Sequence, residues 1–275
     1  MLLSFMFFLN METKFNLVKR TFSDVYGQGY SPKEYKGPQY TQTITTNENY
    51  VYVHDCVFSY CSSSSSGGAL NCGSSVYKLL VEQTTFISCS TSSGNGGGIY
   101  FYSTTNGESV LSKVCAYNCS STGDGQFAYM YIKNDANYRN YVNDSSVTHT
   151  LKKNANYPLY LYYGNILCPS VNITNNECCY YPAMRCCPTA SPASDTIYMS
   201  YSSIINNTAS GGHGCIDFNR AGSSQRIDAC NIINNKQTVY SNYELLIYSN
   251  AKLLIKDSCI LGNNPGKKVF FVDGG

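Results

Sequence analysis

The chain has 275 residues, only 13% of them charged, and a formal net charge of +2 at neutral pH. So small and balanced a charge excludes the electrostatic footprint of a nucleic-acid or acidic-membrane binder. Its 22 glycines and 26 tyrosines, scattered among Asn and Ser, break every run long enough for an amphipathic helix, which excludes a helical solenoid.

Residues 1–9 are an apolar run of the length of a signal-peptide core. No basic residue precedes them and no small-x-small cleavage site follows, so a strand or cap over the first turn of a repeat array is the alternative. The run is too short to cross a bilayer as a helix, and no transmembrane helix is expected elsewhere. The polar segment that follows, with Pro32 and Pro38, completes a region 1–46 that is either signal segment or cap. Residues 47–275 then form the repeat domain.

From Tyr50 onward one phrase recurs. Short apolar triplets are closed by Cys61, Cys89, Cys119, Asn176, Asn207, Asn235 and Asn264, at steps of 28, 30, 57, 31, 28 and 29 residues. The long step is two periods with a degenerate copy near Val147-Thr-His-Thr150. That makes about eight turns of one unit. Glycine clusters follow three of the triplets, at Gly67-Gly68-Ala69-Leu70, at Gly96-Gly97-Gly98-Ile99 and around Gly211 to Gly214, and suit positions of positive φ or close backbone approach. Runs such as Tyr50-Val-Tyr-Val53, Ile99-Tyr-Phe-Tyr102, Tyr129-Met-Tyr-Ile132 and Leu245-Leu-Ile-Tyr248, bounded by Gly, Asn and Ser, read as strands.

A period of this length with three short strands per unit predicts an all-β fold, a right-handed parallel β-helix; a β-propeller or an irregular β-sandwich is the alternative. Strands about 4.8 Å apart would make the stack roughly 40 Å long. Equivalent residues then lie directly above one another. Asn176, Asn207, Asn235 and Asn264 would form an amide ladder along the axis, and Phe58, Phe86, Ile173, Ile204 and Ile232 a dry inner column. Cys61, Cys89 and Cys119 fall on consecutive turns and would be either bridged with local adjustment or a column of thiols.

Residues 127–170 blur the pattern and are expected to hold one or two weakly specified coils. Residues 177–195 contain Cys178-Cys179, Cys186-Cys187 and two prolines, and read as an inserted loop held by its own disulfides; adjacent pairs present their sulfurs poorly to a single zinc ion. Fourteen cysteines, an even number, favour an oxidising compartment, extracellular or at the cell surface, with the cytoplasm as the alternative. The chain closes with Lys267-Lys268 and a final strand, Val269 to Val272.

The phrases Gly67-Gly68-Ala69-Leu70 and Gly96 to Ile99, alternating with Phe-x-x-Cys/Asn, resemble the repeat of the polymorphic membrane proteins of chlamydiae and of related surface-protein families in protozoan parasites. The resemblance covers roughly residues 50–264, with Cys61 and Cys89 in place of Asn and Ile in place of Phe in later copies. It implies a pectin lyase-like solenoid serving as a surface or secreted adhesin, whose partner is a host-cell or extracellular protein or a glycan, with no cofactor.

Many β-helices also degrade polysaccharides, so a catalytic site is the alternative. Gly212-His213-Gly214 and Arg226-Ile227-Asp228 resemble the histidine and basic phrases of pectin-degrading hydrolases, which makes His213, Asp217 and Arg226 the candidate residues. An inverting hydrolysis needs two carboxylates about 6.5–9.5 Å apart, and no paired-Asp phrase precedes His213. Asp217 is read as a surface residue beside Arg220. A purely structural or decaying paralogue is the third expectation.

Overall fold

The computed structural model describes residues 19–151, 154–189, 195–211, 213–219, 224–238, 245–265 and 268–272. They divide into two compact units at Tyr30/Ser31. In the first, the short helix α1 (Phe22–Tyr26) is started by a capping box: the Thr21 hydroxyl accepts the Asp24 N–H at 3.2 Å, and the Asp24 carboxylate accepts the Thr21 N–H at 2.6 Å. The apolar run 1–9 lies outside the described residues.

The second unit is a parallel β-solenoid. Most of its strands stack in three rows, with shorter two-residue strands paired at the corner after the second, and every pairing between named strands is parallel. The first row runs from Lys78–Glu82 to Leu253–Lys256, the second from Thr85–Ile87 to Cys259–Leu261, and the third from Ile44–Thr46 to Lys268–Val272. The long strand Tyr50–Ser59 opens both of the first two rows, bending between them at Asp55. The described residues make about seven turns. The solenoid begins before residue 47: Lys33–Tyr40 pairs with Tyr50–Ser59, and Ile44–Thr46 starts the third row. Pro38 fits there because Lys33–Tyr40 borders a single neighbouring strand.

Two corners of each turn are made by one residue in the left-handed conformation. Asp55, Gln83, Lys113, Asp144, Ser170, Tyr201, Ala229 and Asp257 join the first row to the second with φ between 45° and 56°. Tyr60, Ser88, Asn118, His149, Asn175, Asn206, Asn234 and Gly262 end the second row with φ between 51° and 66°. Fifteen of these sixteen are not glycine, so each costs about 1 kcal/mol or more that neighbouring turns must offset. The glycine clusters shape the third corner. Gly67, Gly96 and Gly125 have φ of 77°, 67° and 67°, and a Cβ on Gly97 would lie 2.3 Å from the backbone oxygens of both Gln126 and Ser120.

The residue after each second corner is what closes the repeated phrase, and it carries the ladder. Asn176, Asn207, Asn235 and Asn263 each donate Nδ2–H to the carbonyl of the apolar residue one turn back, Val147, Ile173, Ile204 and Ile232, at 2.6 to 3.1 Å. Each Oδ1 in turn accepts the backbone N–H of the ladder residue before it, at 2.8 to 3.0 Å. The ladder ends on Asn263, not Asn264, because Ile260 stacks on Ile232 whereas Leu261 faces solvent; Asn264 uses its own N–H on the Asn235 carbonyl. The degenerate copy takes its place too, with Thr150 Oγ1 donating to Asn176 Oδ1 at 2.9 Å and Val147 in register with Ala116 and Ile173.

Cys89 and Cys119 occupy the same rungs, their thiols donating to the Phe58 and Phe86 carbonyls at 3.6 and 3.7 Å. A thiol is both a weak donor and a weak acceptor, so it holds these rungs less firmly than an amide. Replacing Cys89 with alanine is therefore expected to cost only about 1–2 kcal/mol, read from the urea midpoint; a loss above about 4 kcal/mol would contradict this role.

Inside, Phe58, Phe86, Ala116, Val147, Ile173, Ile204, Ile232 and Ile260 form one continuous column. The Phe58 and Phe86 rings stack at 5.0 Å with 5° between planes. All fourteen cysteines are thiols, so Cys61, Cys89 and Cys119, and equally Cys178, Cys179, Cys186 and Cys187, form no disulfide. Residues 177–189 are not an inserted loop either. Glu177–Cys178 pairs with Thr208–Ala209, and Met184–Cys187 sits in the third row between Leu159–Tyr162 and Ile216–Phe218. Adjacent residues of an extended chain point to opposite faces, which separates the sulfurs of each Cys-Cys pair.

Candidate functional site

Strand alternation in the third row decides what faces outward. Ile99, Phe101, Ala128, Met130, Leu159, Leu161, Met184, Cys186, Ile216 and Phe218 are buried in the core. The residues between them form two outward columns. One runs Tyr100, Tyr129, Tyr160, Arg185, Asp217, Tyr248; the other runs Tyr102, Tyr131, Tyr162, Cys187. Neighbouring tyrosine rings pack along the axis: Tyr100 stacks on Tyr129 at 5.4 Å and Tyr131 on Tyr162 at 4.5 Å, while Tyr102 is tilted by 31° against Tyr131 at 4.8 Å and Tyr129 by 54° against Tyr160 at 5.1 Å. Where faces meet faces, ring edges and hydroxyls are left to line the surface.

Where the first column changes from tyrosine to Arg185 and Asp217, a cavity of about 400 Å³ opens. Tyr157, Tyr180, Tyr181 and Tyr248 wall it, and Arg185, Asp217, His213 and Asn219 supply polar groups. Arg185 and Asp217 are direct partners across the strands, with Nε 3.0 Å from Oδ2. The guanidinium also donates to the Tyr157 hydroxyl at 2.5 Å and lies over the Tyr157 and Tyr160 rings, 5.2 and 5.8 Å from their centroids. His213 packs edge-on against Tyr180 at 4.6 Å, and its Nδ1 lies 3.3 Å from the Tyr181 hydroxyl.

Burial sets the electrostatics. Asp217 is 1% exposed, and burial pushes its carboxyl up to about 7 despite the attraction of Arg185. Its Oδ1 accepts no hydrogen bond among the described residues. The same burial, helped by Arg185, holds His213 below the ordinary imidazole range, and burial raises the Tyr157 and Tyr181 phenols.

Of the three candidate residues, His213 and Asp217 meet in this cavity and Arg226 does not. Arg226 belongs to the outer side of the first row, where it pairs with Asp228 at 2.6 Å and covers Tyr198. The cation beside Asp217 is Arg185 from the preceding turn, and Asp217 is buried rather than superficial; Arg220 lies outside the described residues. Thirty-two residues separate Arg185 from Asp217, so only the period could have joined them, and the Cys-Cys pairs around Arg185 had marked that stretch as a loop. Asp217 is the one carboxylate among the described residues lining the cavity. Glu108 is held in the first row between Lys78 and Arg139, and buried Glu82 in the same row lies 3.6 Å from Lys113.

No helix among the described residues is long and apolar enough to cross a membrane. No family model matches the chain, and no curated protein or solved structure matches it, so the chemistry of this face rests on its own geometry.

Proposed function

We propose that this chain is a non-enzymatic, adhesin-like interaction protein, secreted or displayed at a surface, that meets its partner with the outward tyrosine face of the third row. The observation that carries this is the pair of adjacent tyrosine columns, continuous through three turns and running into the cavity at Arg185 and Asp217. Tyrosines so arranged offer large rigid contact area with little rotamer entropy to lose, and a hydroxyl at each ring edge for hydrogen bonding. The likeness of the glycine and Phe-x-x-Asn phrases to polymorphic membrane proteins supports the same assignment. The cysteine count adds nothing to it, since most of those side chains serve as core or ladder residues.

A glycan is the partner this face suits best, since its hydroxyls match a comb of phenols. Exchanging Tyr102 and Tyr131 for serine together is expected to weaken binding to an immobilised glycan panel, or to intact target cells, by at least about tenfold. Tyr102 is exposed and Tyr131 half-buried, and both lie outside the apolar core, so the circular dichroism spectrum should keep its shape. Unchanged affinity in the double variant would remove the tyrosine face as the contact surface.

A carbohydrate-active enzyme is the second reading, favoured by an aspartic acid that titrates near neutrality beside His213. Asp217 being the one carboxylate among the described residues of the cavity wall weighs against a two-carboxylate hydrolysis. Release of reducing ends from a polysaccharide panel, lost in Asp217→Asn, would establish the enzyme and displace the proposal.

A further inference from the structure

The cavity at the end of the tyrosine columns has a hydrogen-bonding demand that the described residues do not meet. Asp217 is almost wholly buried on its wall, with Oδ2 in an ion pair with Arg185 Nε at 3.0 Å and Oδ1 receiving no hydrogen bond from any described residue. A buried carboxylate oxygen without a donor is costly to retain in a fold. The group that answers the ionised carboxylate from the cavity is a hydrogen-bond donor.

Charge narrows the donor's chemistry. Arg185 and the ionised form of Asp217 are opposite charges in contact and cancel one another within the site. A ligand ammonium approaching Oδ1 would also approach the guanidinium, and a ligand carboxylate or phosphate would approach Asp217. Either contact is repulsive where little water screens it. A neutral donor meets neither penalty. Shape narrows it further: the polar groups comprise a carboxylate, a guanidinium, an imidazole, the Asn219 amide and phenol hydroxyls, distributed among aromatic walls. A flat base or simple amide shows its polar atoms along limited edges, whereas a sugar ring carries hydroxyls around its whole rim and apolar C–H faces for aromatic contact. About 400 Å³ lies within the range of small-ligand sites.

We infer that this cavity binds one uncharged pyranose ring, a hydroxyl of which donates to Asp217 Oδ1 while a C–H face lies against the tyrosine walls. The inference rests on the glycan-binding reading of the tyrosine face and deepens it: the cavity selects a terminal sugar, and the columns hold the chain that follows.

The test uses the full chain and a panel of methyl pyranosides, titrated by saturation-transfer NMR and by tyrosine fluorescence, which no tryptophan obscures. Saturable binding of at least one uncharged methyl pyranoside, with a dissociation constant on the order of 1 mM, is expected. Asp217→Asn should weaken it at least tenfold, and so should Tyr248→Ala, a half-buried wall residue whose loss keeps the test alive should the aspartate variant misfold. Tyr60→Ser, on an exposed corner outside both the cavity and the tyrosine columns, should leave this affinity unchanged. The inference is overturned if no uncharged pyranoside saturates below roughly 50 mM, if both cavity variants bind as well as wild type, or if glucosamine, glucuronate or adenosine binds in preference. Failure of the monosaccharide titration with the Tyr102 and Tyr131 effect intact would sink the cavity assignment alone; loss of the Tyr102 and Tyr131 effect with monosaccharide binding intact would sink the role of the face alone.

Discussion

Replacing Asn207 with alanine is expected to lower the unfolding free energy by about 3–5 kcal/mol, several times the effect at the equivalent Cys89 rung. Asn207 is fully buried. Its Oδ1 accepts both the backbone N–H and the Nδ2–H of Asn176 at 3.0 Å, and its own Nδ2 donates to Ile173 O and to Asn235 Oδ1 at 2.9 Å. Alanine removes all four contacts at once and leaves donors and acceptors stranded where water does not reach; each stranded group costs roughly 1–3 kcal/mol. In a stack whose turns contact only their neighbours, the damage should stay local. Hydrogen exchange should therefore show lost protection at the amides of Asn176 and its immediate neighbours while the turns around Phe58 and Phe86 keep theirs. A loss below about 1 kcal/mol in urea unfolding, with the Asn176 amide still protected, would mean the ladder is not what holds these turns in register.

The second large effect is a pH dependence that one residue carries. The carboxyl of Asp217 ordinarily titrates at 3.8 and in the folded chain at about 7. Between those values the folded protein holds a proton that the unfolded chain has released. Stability supplied by this site is thus full below about pH 4 and falls as pH rises towards 7, at up to about 1.4 kcal/mol per pH unit and of order 4 kcal/mol in all. His213 works the other way. Its folded-state value lies below the ordinary 6.5, so its contribution improves as pH rises through that value. Comparing wild type with Asp217→Asn at each pH isolates the aspartate. The variant should gain on wild type by about 2–4 kcal/mol between pH 4.5 and pH 8, on top of a constant offset from losing the contact with Arg185. A difference that stays flat across that range would show that Asp217 is solvated and charged throughout.

The pattern of apolar triplets closed by Cys or Asn determined the fold, because side chains in a parallel solenoid repeat at the chain's own period. Cys61, Cys89, Asn176, Asn207 and Asn235 could be placed on one line from their spacing alone. So could Phe58, Phe86, Ile173, Ile204 and Ile232. The same period missed by one residue at Asn263, where Gly262 makes the corner and both Asn263 and Asn264 were available. It also concealed the strands at Lys33–Tyr40 and Met184–Cys187, since proline and paired cysteines are ordinarily signs of loops; an edge strand tolerates the first and strand alternation separates the second. Glycine is the residue best suited to positive φ, yet fifteen corners use other residues, their strain borne by the hydrogen-bonded turns above and below.

What only the tertiary structure decided is which distant side chains share a face. Tyrosines two apart along a strand and about thirty apart along the chain merge into two columns because third-row strands stack in register. Arg185 reaches Asp217 by the same registry, displacing Arg226, which lies on a different row of the same solenoid. Whether an aspartate is exposed or buried, charged or half-protonated, depends on the turns that cover it. Those turns come from residues 157 to 248, and no local stretch of sequence contains them.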